Sequence, residues 1–490
     1  MKLWINFAQM MKMRVITASV LCFLLSFSIR AQSGYEISAS IKPFTSGYFY
    51  LAYHFGNKQY IMDSAAIAQD GKAVFKGDQP LLGGIYMIVY PQKNAWIECI
   101  IDKQQRFSIA TDTLDPIGNL RFQGSEQNAL FADYQRKSVE LGTKMGQLRA
   151  ALNAPNAKSD SLNTAIRTIN LQMLQYRESI QNNHPDHLLS AIFRLLKDPE
   201  IPPAQQHPGG KYDSAYAYHY YVDHYWDGVS FSDERLIRTP VLQPKFDRYF
   251  NNILPQMSDS LILYADRILQ PALANEEAFK FYLSSLTDKY INPQYMGQDA
   301  VFVHLFEKYY ITGKADKWMN DQYRKFVFDR GYSMMANVIG KRASELPMID
   351  TLGKDFSLYA VQAPYTVLCF WDPTCGHCQE EVPKVDSIFQ NKWKKQGMKV
   401  VGIMTDGGKE NWLNFIHKHN LKDWIHIYQT DATREKILQA GQPGYRQLYD
   451  VYQTPMLYLL DKNKNIVAKK LTYLQMDELL TMRGKSPQTP

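Results

Sequence analysis

Hydrophobic residues in this chain change their spacing twice, and the double change limits the folds open to it. From about residue 35 to 124 the apolar runs are short and alternating, as in "GYFYLAYHF", "KAVFKG" and "IYMIVYP". A period of two buries one face of a strand, and turn residues in "FGN", "QDGK" and "LLGG" separate the runs. The segment "MDSAAIAQDGKAVFKGD" has the form of a hairpin turning at Asp70-Gly71. Residues 32–125 are expected to form an all-β sandwich with Cys99 in its core.

From Glu126 the apolar residues recur at i, i+3, i+4 and i+7, as in "NALFADYQRKSVELGTKMGQLRAALN". Residues 126–340 are expected to form an all-α domain. The aromatic patch "YDSAYAYHYYVDHYWDG" (Tyr212–Gly228) reads as helix core rather than a ligand groove. The histidines His184, His187, His219 and His224 lack the spacing of a metal site.

Beyond Gly340 the pattern changes again. "YTVLCFW" is a buried strand, a helix starts near Cys375, and "MKVVGIMT" is a second strand. "PMLYLLDKNKNIVAKKL" is a hairpin turning at Lys462–Asn465, and "QMDELLTMR" is a last helix. This order predicts an α/β fold with a mixed sheet over residues 343–490. Three domains suit a chain of 490 residues.

Residues 1–31 stand apart. Lys2, Lys12 and Arg14 precede an apolar run from Val15 to Ile29, then Ala31. These are the parts of a secretory signal peptide, with cleavage expected after Ala31 and the periplasm as destination. An uncleaved signal acting as a membrane anchor is the lesser alternative. A lipid anchor on Cys22 is disfavoured because Leu21, not a small residue, precedes it. Residues 1–31 carry four basic side chains and no acid, so the net charge of +7 falls to +3 without them. No basic stripe argues for nucleic acid.

Outside that segment are four cysteines: Cys99, Cys369, Cys375 and Cys378. Four in a chain this large do not make a disulfide-stapled scaffold. Cys375 and Cys378 lie in "FWDPTCGHCQEEVP", the first opening a helix after a strand. Free N–H groups and the helix dipole there favour a thiolate at Cys375. Cys378, one turn on, is placed to close a disulfide with it. His377, following Gly376, is expected to favour the thiolate further and make the disulfide a stronger oxidant. A zinc site would need a second ligand pair, which Cys99 and Cys369 do not supply. A peroxidase would need a Pro-x-x-x-Thr-x-x-Cys arrangement, which neither cysteine has. The redox-active pair itself carries the electrons, so no metal and no bound cofactor are expected.

The pieces "PMIDTLGKDFSL", "FWDPTCGHC", "EEVP" and "YQTP" together resemble the thioredoxin superfamily, in particular the TlpA/ResA-type extracytoplasmic thiol-disulfide oxidoreductases. The resemblance implies a cis Thr454-Pro455 bond beside the cysteines, where the Thr454 backbone pairs with an incoming peptide. On it, Trp371, Thr454 and Pro455 are expected to contact substrate. Glu381 matches a family glutamate near the active site and shares a helical face with Cys378. It is the expected proton acceptor for Cys378. Pro383 is expected to shape the helix. Cys369 stands where many thioredoxins carry a buried acid, so that acid cannot be the proton relay here. The β and helical segments, in "IMDSAAIAQDGKAVFKG", "GSEQNALFADY" and "YYVDHYWDGVSFSDERLIRTP", resemble uncharacterised domains of Gram-negative envelope proteins.

The expected activity is reduction of protein disulfides through Cys375 and Cys378, with a membrane thiol-electron donor restoring the dithiol. Two alternatives stay open. Gly376-His377 resembles protein disulfide isomerase and points to an oxidase or isomerase. The roughly 310 residues between the signal and the redox domain also leave room for an envelope scaffold with a regulatory redox pair. Oligomeric state is not fixed by the sequence.

Overall fold

The computed structural model describes residues 34–154 and 159–485, so the signal-peptide reading of residues 1–31 lies outside the described residues. The chain divides into two compact units between Ile253 and Leu254, inside the helical stretch rather than at either end of it.

The first unit contains eight strands, of which those at Tyr35–Lys42, Lys72–Gly77 and Arg106–Asp112 alternate buried residues with more exposed ones. The eight are β1 (Tyr35–Lys42), β2 (Tyr48–Phe55), β3 (Lys58–Ala66), β4 (Lys72–Gly77), β5 (Gly84–Val89), β6 (Trp96–Ile101), β7 (Arg106–Asp112) and β8 (Arg121–Gln123). Two four-stranded sheets result, ordered β4-β1-β7-β8 and β3-β2-β5-β6. Ile37, Ala39 and Ile41 from one sheet meet Phe49, Leu51 and Ile88 from the other in one core. Cys99 is buried there, and burial pushes its thiol pKa up.

The expected hairpin at Asp70-Gly71 is corrected by this topology. The turn forms, with Gly71 at φ +77° and the Ala68 N–H bonded to the Lys72 carbonyl at 2.8 Å. Its flanking strands do not pair with each other: β3 pairs with β2, and β4 pairs with β1. Local turn chemistry bends the chain, whereas burial of Ala73 and Phe75 decides which sheet β4 joins.

The helices Glu126–Leu152, Ser159–Asn183, Leu188–Leu196, Ser214–His224 and Leu242–Arg248 follow in this unit. Ser125 caps the first by accepting from the Asn128 N–H. In the aromatic patch, Tyr225 is buried and stacks on Tyr249 with ring centroids 4.9 Å apart. That part of the patch is core.

The second unit opens with helices Ser258–Ala272, Glu276–Tyr290, Asp299–Leu305 and Asp321–Met335. Six strands follow: β9 (Ile349–Asp350), β10 (Tyr365–Trp371), β11 (Lys399–Met404), β12 (Ile425–Tyr428), β13 (Met456–Asp461) and β14 (Ile466–Lys469). Their sheet order is β14-β13-β10-β11-β12-β9. β10, β11 and β12 run parallel, and β13, β14 and β9 antiparallel to their neighbours. The sheet is mixed, and the C-terminal region is α/β as its sequence pattern implies.

The last two of these helices are tied to the sheet and its flanking loops by buried charge. Lys469 pairs with Asp299 and donates to the Asn337 carbonyl at 2.7 Å. Asp450, 1 % exposed, accepts from Arg330, Lys470 and Ser333. Ser333 Oγ also donates to the Gln447 carbonyl at 2.7 Å. No helix among the described residues is long and apolar enough to cross a membrane.

Candidate active site

β10 is buried on both faces, which makes it the rigid base of the site. Val367, Cys369 and Trp371 enter one hydrophobic cluster, and Leu368 and Phe370 enter the other. Trp371 is therefore corrected from a substrate-contacting residue to a core residue. It is fully buried and packs on Phe415 at 4.9 Å, so no substrate reaches it.

After Trp371 the chain makes an Asx turn. Asp372 Oδ1 accepts from the Thr374 N–H and hydroxyl, each at 2.7 Å. The turn delivers Cys375 to the N-cap of the helix Gly376–Ile388. Cys375 has φ −76° and ψ 124°, and its carbonyl accepts from the Gln379 N–H at 3.0 Å. Pro383 lies inside this helix.

The two thiols sit in opposite environments. Cys375 is partly exposed, and its pKa is lowered, chiefly by the Cys378 backbone N–H, with the Thr454 side chain and the His377 backbone N–H adding to the effect. In thiol form it donates to the Thr454 carbonyl at 3.7 Å. The His377 imidazole itself is exposed. Cys378 is fully buried, and burial pushes its pKa up to about 11 although the Asp372 N–H donates to its sulfur at 3.4 Å. Cys369 lies in the same cluster, its thiol raised well above the ordinary range by burial and by Cys378.

The Thr454-Pro455 peptide bond is cis. A groove of about 400 Å³ runs beside it, lined by His377, Glu381, Thr454, Pro455, Lys470 and Leu471. The fold thus gathers into one groove four residues that the sequence placed far apart or left unordered: His377, Glu381, Thr454 and Pro455. Gly376 makes no close approach, since a Cβ there would meet open space. Glu381 is held by Lys384, with Oε1 2.7 Å from Nζ. No group of three or more metal-ligating side chains occurs among the described residues.

Two participants were missed by sequence reasoning. The Asp372 backbone N–H, which holds the Cys378 sulfur, was foreshadowed by the turn-forming "DPT". Lys470, in the groove wall, carried no signal at all.

Residues 364–466 match the family model of thioredoxin-like domains. Residues 35–131 and 154–332 match two models of domains of unknown function. Among curated proteins, the thiol-disulfide oxidoreductase ResA of Bacillus cereus is 26 % identical over 131 residues, covering 27 % of this chain and 68 % of ResA. ResA of Geobacillus thermodenitrificans is 25 % identical over 153 residues, covering 29 % and 80 %. Among solved structures, a domain of a possible thiol-disulfide isomerase from Cytophaga hutchinsonii is 38 % identical, covering 30 % of this chain and 94 % of that one, with a TM-score of 0.26. A thioredoxin-like protein from Bacteroides caccae is 21 % identical, covering 58 % and 98 %, with a TM-score of 0.42.

The mixed sheet and the family match define a thioredoxin-like domain at residues 364–466, and the C-terminal part of the chain is similar to the ResA thiol-disulfide oxidoreductases. The protein is a thiol-disulfide oxidoreductase, an enzyme class that exchanges disulfides with the thiols of other proteins.

Proposed function

We propose that Cys375 and Cys378 are the redox pair and that the enzyme, exported to the periplasm, reduces disulfides in other proteins. The observation that carries this reading is the asymmetry of the thiols: the exposed one is acidified and the buried one is not. An accessible thiolate is the attacking species in disulfide exchange.

The Cys375 thiolate attacks one sulfur of a substrate disulfide. A Cys375–substrate disulfide forms, and the other substrate sulfur leaves as a thiolate. Cys378 then loses its proton to Glu381 or to water and attacks Cys375 Sγ. The second substrate thiolate leaves, and a Cys375–Cys378 disulfide holds the oxidising equivalents. Two electrons have passed to the substrate, and a membrane thiol donor returns them. Thr454 and Pro455 position the substrate backbone against Cys375, and Gly376-His377 sets the potential. No bound cofactor takes part.

The exposed imidazole of His377 favours a second reading, in which the disulfide form is the reagent and the protein oxidises or isomerises substrates. The matches of residues 35–131 and 154–332 to domains of unknown function favour a third, an envelope scaffold with a regulatory pair.

Cys378→Ala in the full chain tests the assignment. The variant should accumulate mixed disulfides on Cys375 with other proteins, identified by mass spectrometry after non-reducing electrophoresis. Absence of adducts that depend on Cys375 would refute the enzymatic pair and favour the scaffold.

A further inference from the structure

A second cavity, of about 490 Å³, adjoins the groove beside Cys375, and Lys470 and Leu471 line both. Its other walls are residues 292–297, Asp299, Arg330, Met334, Lys469 and Gln475, so it lies where the helices of this unit meet the thioredoxin-like sheet. Nothing in the redox chemistry requires a helical wall there.

Three cations, Arg330, Lys469 and Lys470, stand against two carboxylates, Asp299 and Asp450, leaving the cluster positive. The cations are not equally committed. Lys469 is 4 % exposed, and its three N–H donors are taken by Asp299, the Asn337 carbonyl and Asn337 Oδ1. Arg330 is bound to Asp450 and to the Ile291 carbonyl. Among the described residues Lys470 pairs with Asp450 alone, and 39 % of its side chain is exposed. Two of its donors are available to an incoming group.

Lys470 also holds a backbone conformation that favours glycine, φ +58°. Its N–H donates to the Leu457 carbonyl at 2.9 Å, which fixes it on the ridge between the cavities. Tyr295 and Met296, 52 % and 44 % exposed, add apolar surface to the far wall.

We propose that this cavity is a substrate subsite for an acidic side chain. The occupant is an extended polypeptide whose sulfur lies at Cys375 and whose backbone runs past Thr454. It crosses the Lys470–Leu471 ridge and places a carboxylate on Lys470 beside Tyr295 and Met296. The helical segment then contributes to substrate choice, in addition to its structural contacts. The inference rests on the assignment of Cys375 as the attacking thiol.

The test uses the full chain and synthetic peptides carrying one cysteine as a mixed disulfide with thionitrobenzoate. Cys375 attacks the peptide sulfur, the Cys375–peptide disulfide forms, and coloured thionitrobenzoate leaves. Glutamate is walked outward from the cysteine in one peptide set, and glutamine replaces it in a matched set. Dithiodipyridine, which has no peptide, reports on Cys375 alone. At one or two spacings the glutamate peptide should react about fivefold faster than its glutamine partner, the upper range for a partly exposed ion pair. Salt should shrink that ratio. Lys470→Gln should bring it to one, and Lys470→Arg should keep it. Equal rates for the two sets in the wild type, or a ratio that survives Lys470→Gln, would overturn the subsite. If dithiodipyridine reacts no faster with the wild type than with Cys375→Ala, the assignment of Cys375 has failed instead.

Discussion

Cys375 Sγ lies 3.7 Å from the carbonyl oxygen of Thr454, a residue 79 positions later in the chain. The contact puts the partly exposed thiol of the motif against the backbone proposed to position the substrate. Donors around the sulfur, led by the Cys378 backbone N–H, favour its ionised form. Alkylation of Cys375 by iodoacetamide in the reduced protein should therefore show a half-reaction pH below the ordinary thiol value of 9.0. A midpoint at or above that value would remove the basis for calling Cys375 the nucleophile.

Cys378 makes the opposite prediction. Its pKa rises in the folded protein from an ordinary 9.0 to about 11 through burial. Between those values the unfolded chain has lost a proton that the folded chain keeps. The folded state binds more protons, so dithiol stability falls as pH rises through that window. Denaturant unfolding of wild type and Cys378→Ala across pH 9 to 11 should show a steeper loss in the wild type. Parallel curves would mean that Cys378 is not held as a neutral thiol.

Trp371 fills the core beneath the motif, so its truncation is a stability change first. Trp371→Ala should cost about 3–5 kcal/mol, the range for a large buried aromatic, read from chemical denaturation of the second unit's transition. A neutral effect on unfolding would return Trp371 to the surface role expected from its place beside the cysteines.

How much of this was legible in the sequence depended on the range of the interaction. Both period changes appear as the β-rich and helical regions, and the motif's strand-to-helix placement needed only local pattern. The Asp70-Gly71 turn was legible, but not the separate sheets that its strands join, because pairing is a long-range choice. The compact division at Ile253 was hidden because helical periodicity is the same on both sides of it. Trp371 was misplaced by its closeness to the motif, although strand alternation puts it on the same buried face as Val367 and Cys369. Lys470 was invisible, since its role comes from two cavities that meet only in the folded chain.

Asp450 is the buried carboxylate that holds Arg330 and Lys470. Burial alone would raise its pKa, but Lys470 and Arg330 more than offset this and hold it below the usual carboxylate range. Its contribution is present above that range and is lost as pH falls through the depressed value. Asp450→Ala leaves two cations without their partner and should destabilise the second unit by about 3–5 kcal/mol. It should also flatten the acid side of the stability profile. An unchanged acid limb would show that the pair does not hold helices and sheet together.

The reduction potential of the Cys375–Cys378 couple decides whether the pair reduces or oxidises its substrates. It is read by equilibrating the full chain with thiol-disulfide buffers and trapping free thiols. A reductase should show a potential near that of thioredoxin, about −270 mV. A potential of about −120 to −180 mV would contradict the proposed direction and make the protein an oxidase or isomerase.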